Sequence, residues 1–219
     1  MAKKQTAKTA KPIDAKIKEA YVDFVLEHGK EPASIYKFAK DLKMNEVDFY
    51  NHFNSFKALQ KHIWADFLKE TIENLHSEEA FIEYSSREKL LALYFTLIEV
   101  LKSNRSYAMM DLQKMKKGDL KPGFLEAFKK HFFKFVDEIL LQGKETEEII
   151  DRPVIGDRYS EGLWIQTLFI LQFWANDDSK DFEKTDAAIE KAVNVAYDLM
   201  GKSPLDSMFD FAKFIFQNR

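Results

Sequence analysis

Apolar residues recur three and four positions apart along almost the whole chain, and no stretch alternates with the period of two that a half-buried strand requires. Ile17, Ala20, Tyr21, Phe24 and Val25 predict a first helix ending at Gly29, a residue suited to a left-handed C-cap. Ile35, Phe38, Ala39 and Leu42 predict a second, with Ser34 placed to cap it. Lys43-Met44 then makes a turn. Asn45 caps a third helix, with Asp48 at its third position as capping-box partner. In that helix Val47, Phe49 and Phe53 are expected to turn inward, leaving Glu46, Asp48, Tyr50, Asn51 and His52 outward. Two short helices around a tight turn, closed by the run Phe49-Tyr50-Asn51-His52-Phe53, read as a helix-turn-helix.

Helical spacing continues to the end. Lys57 to about His76 carries Leu59, Ile63, Phe67, Thr71 and Leu75 inward, and Arg87 to Ser103 is apolar over most of its circumference through Leu90, Leu91, Tyr94, Phe95, Leu97, Ile98 and Leu101. Ser106 to Met115 is a short helix, followed by a loop at 116–119. Pro122 is expected to open a helix running through Phe124, Phe128, Phe132, Phe135, Ile139 and Leu140 to a stop at Gly143. Residues 144–157, with Pro153 and Gly156, read as a charged connector. Arg158 to Ala175 is apolar on nearly every face, so it must be covered on two sides, and a second copy of the chain is the simplest second cover. Asp181 to Met200 is amphipathic, with Phe182, Ala188, Ile189, Ala192, Val193, Ala196 and Leu199 as its apolar face. Asp177-Asp178 before it reads as a solvated turn. Pro204 is expected to start a last helix with Phe209, Phe211, Phe214, Ile215 and Phe216.

The segment from Ser34 to Leu59 resembles the DNA-binding domain of the TetR family of bacterial transcriptional regulators. That pattern has a helix ending in Ile-Ala, a Gly-Val-Ser turn, and then Leu-Tyr-x-His/Tyr-Phe-x-Ser-Lys-x-x-Leu. Here Phe38-Ala39 stand for Ile-Ala, Met44-Asn45 for Val-Ser, and Phe49 to Phe53 for the aromatic box, with Ser55 and Leu59 at matching spacing. The match covers about residues 13 to 65. It implies an all-α fold with three parts: a disordered basic arm over 1–12, a three-helix helix-turn-helix domain over 13–60, and a larger helical ligand-binding and dimerisation domain over 61–219. It also implies contacts to an operator in double-stranded DNA from Ser34, Tyr36, Asn45, Glu46, Asp48, Tyr50, Asn51, His52 and Lys57. The last long helices of the family form a four-helix bundle with those of a partner subunit, which implies a homodimer.

Several positions depart from that pattern. Lys43 replaces the turn glycine, at a conformational cost of about 1 kcal/mol for a side-chain-bearing residue. Val47 replaces a small residue, and Ser55-Phe56 replaces Ser-Lys, with Lys57 one place along. The recognition helix carries two acids, Glu46 and Asp48, and no basic residue. Two readings of these acids stand open: they complement the helix dipole, or they accept a hydrogen bond from cytosine N4 in the major groove.

Charge changes the picture further. Residues 1–60 hold eleven lysines, no arginine and eight acids, a net of +3, and four of the lysines (Lys3, Lys4, Lys8, Lys11) fall in the first eleven residues. Residues 12–60 are therefore −1 overall, so electrostatic attraction to DNA leans on the arm. The arm is either a solubilising terminus or a segment that reaches an adjacent minor groove. The absence of cysteine excludes a disulfide framework and any thiol nucleophile, and fits a reducing, cytoplasmic location. No uncharged apolar run is long enough to span a membrane.

Twenty phenylalanines and seven methionines can line an adaptable apolar cavity. Tyr94, Phe95, Met109, Phe124, Phe128, Phe132, Trp164 and Phe169 are the candidates for a ligand pocket in the larger domain, with packed core as the competing reading. An apolar or amphipathic small molecule, such as an acyl chain, fits that lining. The five histidines (His28, His52, His62, His76, His131) show no metal-binding spacing, and no glycine-rich phosphate loop occurs, so no catalytic residue, metal or cofactor is expected. Two functions follow: a ligand-released regulator, usually a repressor, or a lipid-binding protein of the same fold that has lost operator binding, similar to certain ubiquinone-pathway proteins.

Overall fold

The computed structural model describes residues 11–116, 118–152 and 156–201, with 211, 214, 215 and 217. The arm before Lys11, Pro153 and most of the helix expected from Pro204 lie outside them. All regular structure among the described residues is helical: α1 (Ile13–His28), α2 (Ile35–Asp41), α3 (Glu46–Tyr50), α4 (Phe56–Ser77), α5 (Ser86–Ser103), α6 (Arg105–Leu112), α7 (Glu126–Glu145), α8 (Tyr159–Ala175) and α9 (Glu183–Met200). Short 3-10 turns occupy 79–83, 123–125, 156–158 and 180–182. The chain divides into two compact units between Ile63 and Trp64, inside α4.

The first unit is built on aromatic rings. Phe38 of α2 meets Tyr21 and Phe24 of α1, Phe49 of α3 and Phe56 of α4 edge-on, at centroid distances of 5.5 to 6.5 Å. Tyr21 stacks on Phe56 at 5.5 Å, and Ile17, Val25, Ala39, Phe53 and Leu59 complete the buried set. Such edge-on pairs add to simple burial because the ring edge is positive and its face negative. The turns follow the residue types: Gly29 closes α1 at φ 67° with its N–H 2.8 Å from the Val25 carbonyl, and Lys43 takes φ 56°. One expectation fails. Val47 is 67% exposed, because α3 is only five residues long and Phe49, followed by Phe53, fills the inward side.

The second unit packs α5, α7, α8 and α9 against one another. α5 is its axis, with Leu90, Leu93, Tyr94, Leu97, Ile98, Val100 and Leu101 buried, while α4 contributes Trp64, Ala65, Phe67, Leu68, Thr71 and Leu75. Four expectations change here. Gly143 does not end α7; it sits inside the helix, where a Cβ would stand 2.6 Å from both Ile149 Cδ1 and Ser86 Oγ. Pro122 opens a 3-10 turn, and α7 starts at Glu126. Asp177 is buried, not solvated: its carboxylate accepts hydrogen bonds from the N–H and Oγ of Ser179 (2.9 and 2.7 Å) and from the N–H and Oγ1 of Thr185 (2.9 and 2.6 Å). Leu199 is exposed at the end of α9, whose inward residues are Ile189, Val193, Tyr197 and Met200.

Candidate nucleic-acid interface and effector core

The outward half of the helix-turn-helix separates cleanly from its aromatic core. Ser34 caps α2, its Oγ accepting the Lys37 N–H at 3.2 Å. Tyr36, Asn45, Tyr50, Asn51, His52 and Lys57 are exposed, and Glu46 and Asp48 are half-buried. Both acids of α3 are engaged within the unit: Asp48 Oδ2 accepts the Asn45 N–H at 3.1 Å, and Glu46 Oε1 accepts the Tyr50 hydroxyl at 3.4 Å. Helix capping therefore accounts for Asp48 without any base contact. An open groove of about 460 Å³ runs over Tyr36, Lys40, Lys43, Asn45, Glu46 and Asp48.

The residues expected to contact DNA leave out Lys37 and Lys40, and Lys43 enters only as the turn residue; all three are exposed. The signal was present, since Lys37 and Lys40 stand three apart on α2, flanking the buried Phe38-Ala39 pair. Counting net charge over 12–60 hid them, because a sum over a domain says nothing about which cations share a surface.

The residues expected to line a pocket in the second unit are partly brought together. Phe128, Phe132 and Trp164 form one cluster with centroids 5.8 to 6.4 Å apart. Tyr94 reaches α8, its hydroxyl 3.3 Å from the Leu163 carbonyl and 3.1 Å from Thr167 Oγ1. Burial pushes the Tyr94 phenol above its ordinary value, against the opposing bond from Thr167. Phe124 lies 5.0 Å from Trp64, whose Nε1–H donates to Asp111 at 2.9 Å. Phe95 and Met109 are half-buried on α5 and α6. Phe169 stands elsewhere: it is 50% exposed, with its ring against Phe173.

Phe169 belongs to a different surface. Ile165 and Phe169 of α8, and Val195 and Leu199 of α9, are each at least half exposed. Shallow apolar grooves run beside them, one of about 420 Å³ over Gly162, Gln166, Ala192, Val195, Ala196 and Leu199. Arg152 fixes the end of α9 there, donating to the carbonyls of Leu199 and Gly201, each at 2.8 Å. The all-round apolar character of α8 is thus resolved into a buried side and an uncovered one. Among the described residues, no group of three or more acids or histidines could hold a metal ion, and no helix is long and apolar enough to cross a membrane.

Comparison with known proteins now bears on this geometry. No curated protein matches the sequence. Solved structures do. A Syntrophomonas wolfei protein assigned to the TetR family of transcriptional regulators is 19% identical, with a TM-score of 0.63 over 85% of this chain and 93% of its own. The fatty acid degradation regulator FadR of Bacillus halodurans is 19% identical, with a TM-score of 0.59 over 87% and 97%. Thermus thermophilus FadR, a TetR-family repressor in complex with lauroyl-CoA, is 15% identical, with a TM-score of 0.64 over 87% and 97%. At such identities the likeness speaks for the fold alone. The family itself rests on sequence: residues 89–215 match the tetracyclin repressor-like C-terminal domain. That match spans more than half of the chain, and the protein belongs to the TetR family.

Proposed function

We propose that the protein is a ligand-responsive transcriptional regulator, a non-enzymatic repressor that binds operator DNA as a homodimer through α2 and α3. The observation that carries this is the division of the aromatic box: Phe49 and Phe53 are buried, while Tyr50, Asn51 and His52 between them face solvent, as do Tyr36 and Lys57. A core that orients hydrogen-bonding side chains outward from a short helix is what a major-groove reader requires. Lys37, Lys40, Lys43 and Lys57 supply phosphate contacts, and Tyr50 and Asn51 supply base or sugar contacts. The uncovered face of α8 and α9 supports pairing with a second copy, which doubles the number of half-sites read at a spacing of about 34 Å or a multiple.

The effector is an apolar or amphipathic molecule carrying an acyl chain. The Phe128–Phe132–Trp164 cluster with Tyr94 suits it, and a structural neighbour is known bound to lauroyl-CoA. Such a ligand controls DNA binding by differing in affinity for the DNA-competent and DNA-incompetent states. A second reading, a lipid-binding protein without operator affinity, is favoured by one feature only: α3 holds two acids and no cation. Binding of the purified protein to the DNA upstream of its own coding sequence, measured from low to physiological salt, separates the two. A regulator binds there more tightly than to unrelated DNA, and Tyr50→Ala with Asn51→Ala removes the preference. Equal, weak affinity for both DNAs, unchanged by those substitutions, leaves the lipid-binding reading.

A further inference from the structure

Arg105, at the start of α6, is half-buried, and one nitrogen of its guanidinium is enclosed without an acceptor. Its Nη1 is buried and unbonded, and the charge is stacked on two rings, with Cζ 4.8 Å from the Trp174 ring centroid and 4.5 Å from that of Phe182. Trp174 is fully buried, and its Nε1–H is also without an acceptor. Two donors without acceptors, one of them charged, are therefore carried by side chains stacked on each other. Buried polar groups are normally satisfied, and the penalty for failing is larger when the group is charged. Stacking on aromatic faces accounts for where the guanidinium lies. It does not account for the indole N–H.

The cover over this place is strained in a specific way. Asp181 and Phe182 both take left-handed backbone conformations, φ 53° and 64°, one after the other, a region that L residues with side chains avoid. The segment is pinned on either side of its tip by Asp177, which bonds Ser179 before it and Thr185 after it. Swinging the Phe182 ring away uncovers the guanidinium face it lies against while those anchors hold. Lys102 lies beside the same ring, its Nζ 5.3 Å from the Phe182 centroid, with its charge shared with Glu99 at 2.6 Å.

We propose that Arg105 and Trp174 form an oxyanion site with Phe182 as its lid, taking a carboxylate or phosphate group, either free or at the end of a larger molecule. A guanidinium offers a planar fork of donors to such a group, and the indole N–H supplies one more. The site is distinct from the aromatic cluster described above, since Trp174 stands ten residues beyond Trp164, about 15 Å along α8.

The test uses full-length 15N-labelled protein, whose three tryptophans give three indole N–H resonances; Trp174→Phe identifies the relevant one. Acetate, decanoate and inorganic phosphate are each titrated at constant ionic strength. The proposal expects the Trp174 indole resonance to move saturably with at least one of them, and Arg105→Gln to weaken that response at least tenfold. It expects Phe182→Ala to lower the saturating concentration at least fivefold. Saturation by decanoate well below acetate assigns the carboxylate to an amphipathic ligand, and a response to phosphate alone assigns a phosphate group. An indole resonance that stays put with all three anions, in both the wild type and Phe182→Ala, overturns the proposal. So does a shift of equal size and midpoint in Arg105→Gln. If Arg105→Gln does not fold, the Phe182→Ala comparison decides by itself.

Discussion

The surface over α2 and α3 and the face of α8 and α9 both expose large side chains, and the chemistry they expose is opposite. On the first, the rings that reach solvent are Tyr36 and Tyr50, each with a hydroxyl, among Asn51, His52 and four lysines. On the second the exposed side chains are Ile165, Phe169, Val195 and Leu199, with nothing to offer water. An apolar surface left wet forfeits about 25 cal/mol per Å², so the second face would gain by meeting another apolar surface, whereas the first is already well solvated and, under the proposed function, is the side that meets a polyanion. Exposure by itself therefore marks neither site. What separates them is whether the exposed side chain carries a polar group.

The strongest way to test this division is to cut on either side of it within the aromatic box. Phe49→Ala removes a fully buried ring and is expected to cost about 3–5 kcal/mol in urea denaturation. Tyr50→Ala, its immediate neighbour, is expected to cost less than about 0.5 kcal/mol while weakening operator binding. Comparable destabilisation by both would show that the outward side of α3 is part of the fold and not a reading surface. The next largest effect belongs to the other face. Val195→Asp places a charge on the apolar face proposed to pair with a second copy and, on that proposal, should weaken self-association at least about 100-fold. Light scattering then gives a mass near 25.7 kDa where the unmodified protein gives twice that, with helicity unchanged because Val195 is exposed. An unmodified protein that is already monomeric removes the case for pairing through this face.

How much of this was legible in the sequence depended on whether a residue's fate was decided locally. Phe38, Phe49 and Leu59 follow helical spacing, and the structure buries all three. Lys43 follows from its place in the turn and takes the left-handed conformation expected. Gly143 is the opposite case. It looks like a helix stop, yet it is required by Ile149 and Ser86, and Ser86 is far away in the chain. Asp177 reads as a surface turn because its partners Ser179 and Thr185 are hydroxyls whose geometry cannot be read from composition. Phe169 reads as a pocket-lining residue because α8 is apolar all round, and periodicity cannot say which side of such a helix is left uncovered. The orphaned Arg105 and Trp174 donors leave no sequence signature at all.

Asp177 bears on the second of these faces, because it anchors the start of the helix that carries Val195. Burial opposes its ionisation, but the hydrogen bonds from Ser179 and Thr185 outweigh it and hold the carboxyl well below its ordinary value of 3.8. A carboxyl depressed in the folded state contributes stability above its unfolded value, and that contribution is lost as pH falls from there toward the folded-state value. Asp177→Ala is therefore expected to cost about 1–2 kcal/mol at pH 7. Denaturation of the variant and the unmodified protein at pH 7 and again at pH 3 should show the gap narrowing at the lower pH. A gap that widens in acid contradicts the assignment of the charge to these bonds.

The smallest effect is the one that separates stability from recognition within one residue. Lys43 holds φ 56°, a conformation that glycine adopts freely and that costs a side-chain-bearing residue about 1 kcal/mol. Glycine also has more freedom to lose on folding, which offsets part of that gain. Lys43→Gly is thus expected to stabilise the protein by about 0.5 kcal/mol. At the same time it removes a cation from the groove beside Lys40 and Tyr36. If that cation neutralises a phosphate, operator affinity falls and the slope of log affinity against log salt shrinks by about 1. The two measurements must move in opposite senses. Greater stability with unchanged affinity and salt slope would mean that this lysine serves only the turn, and that the cations over α2 and α3 do not act as one surface.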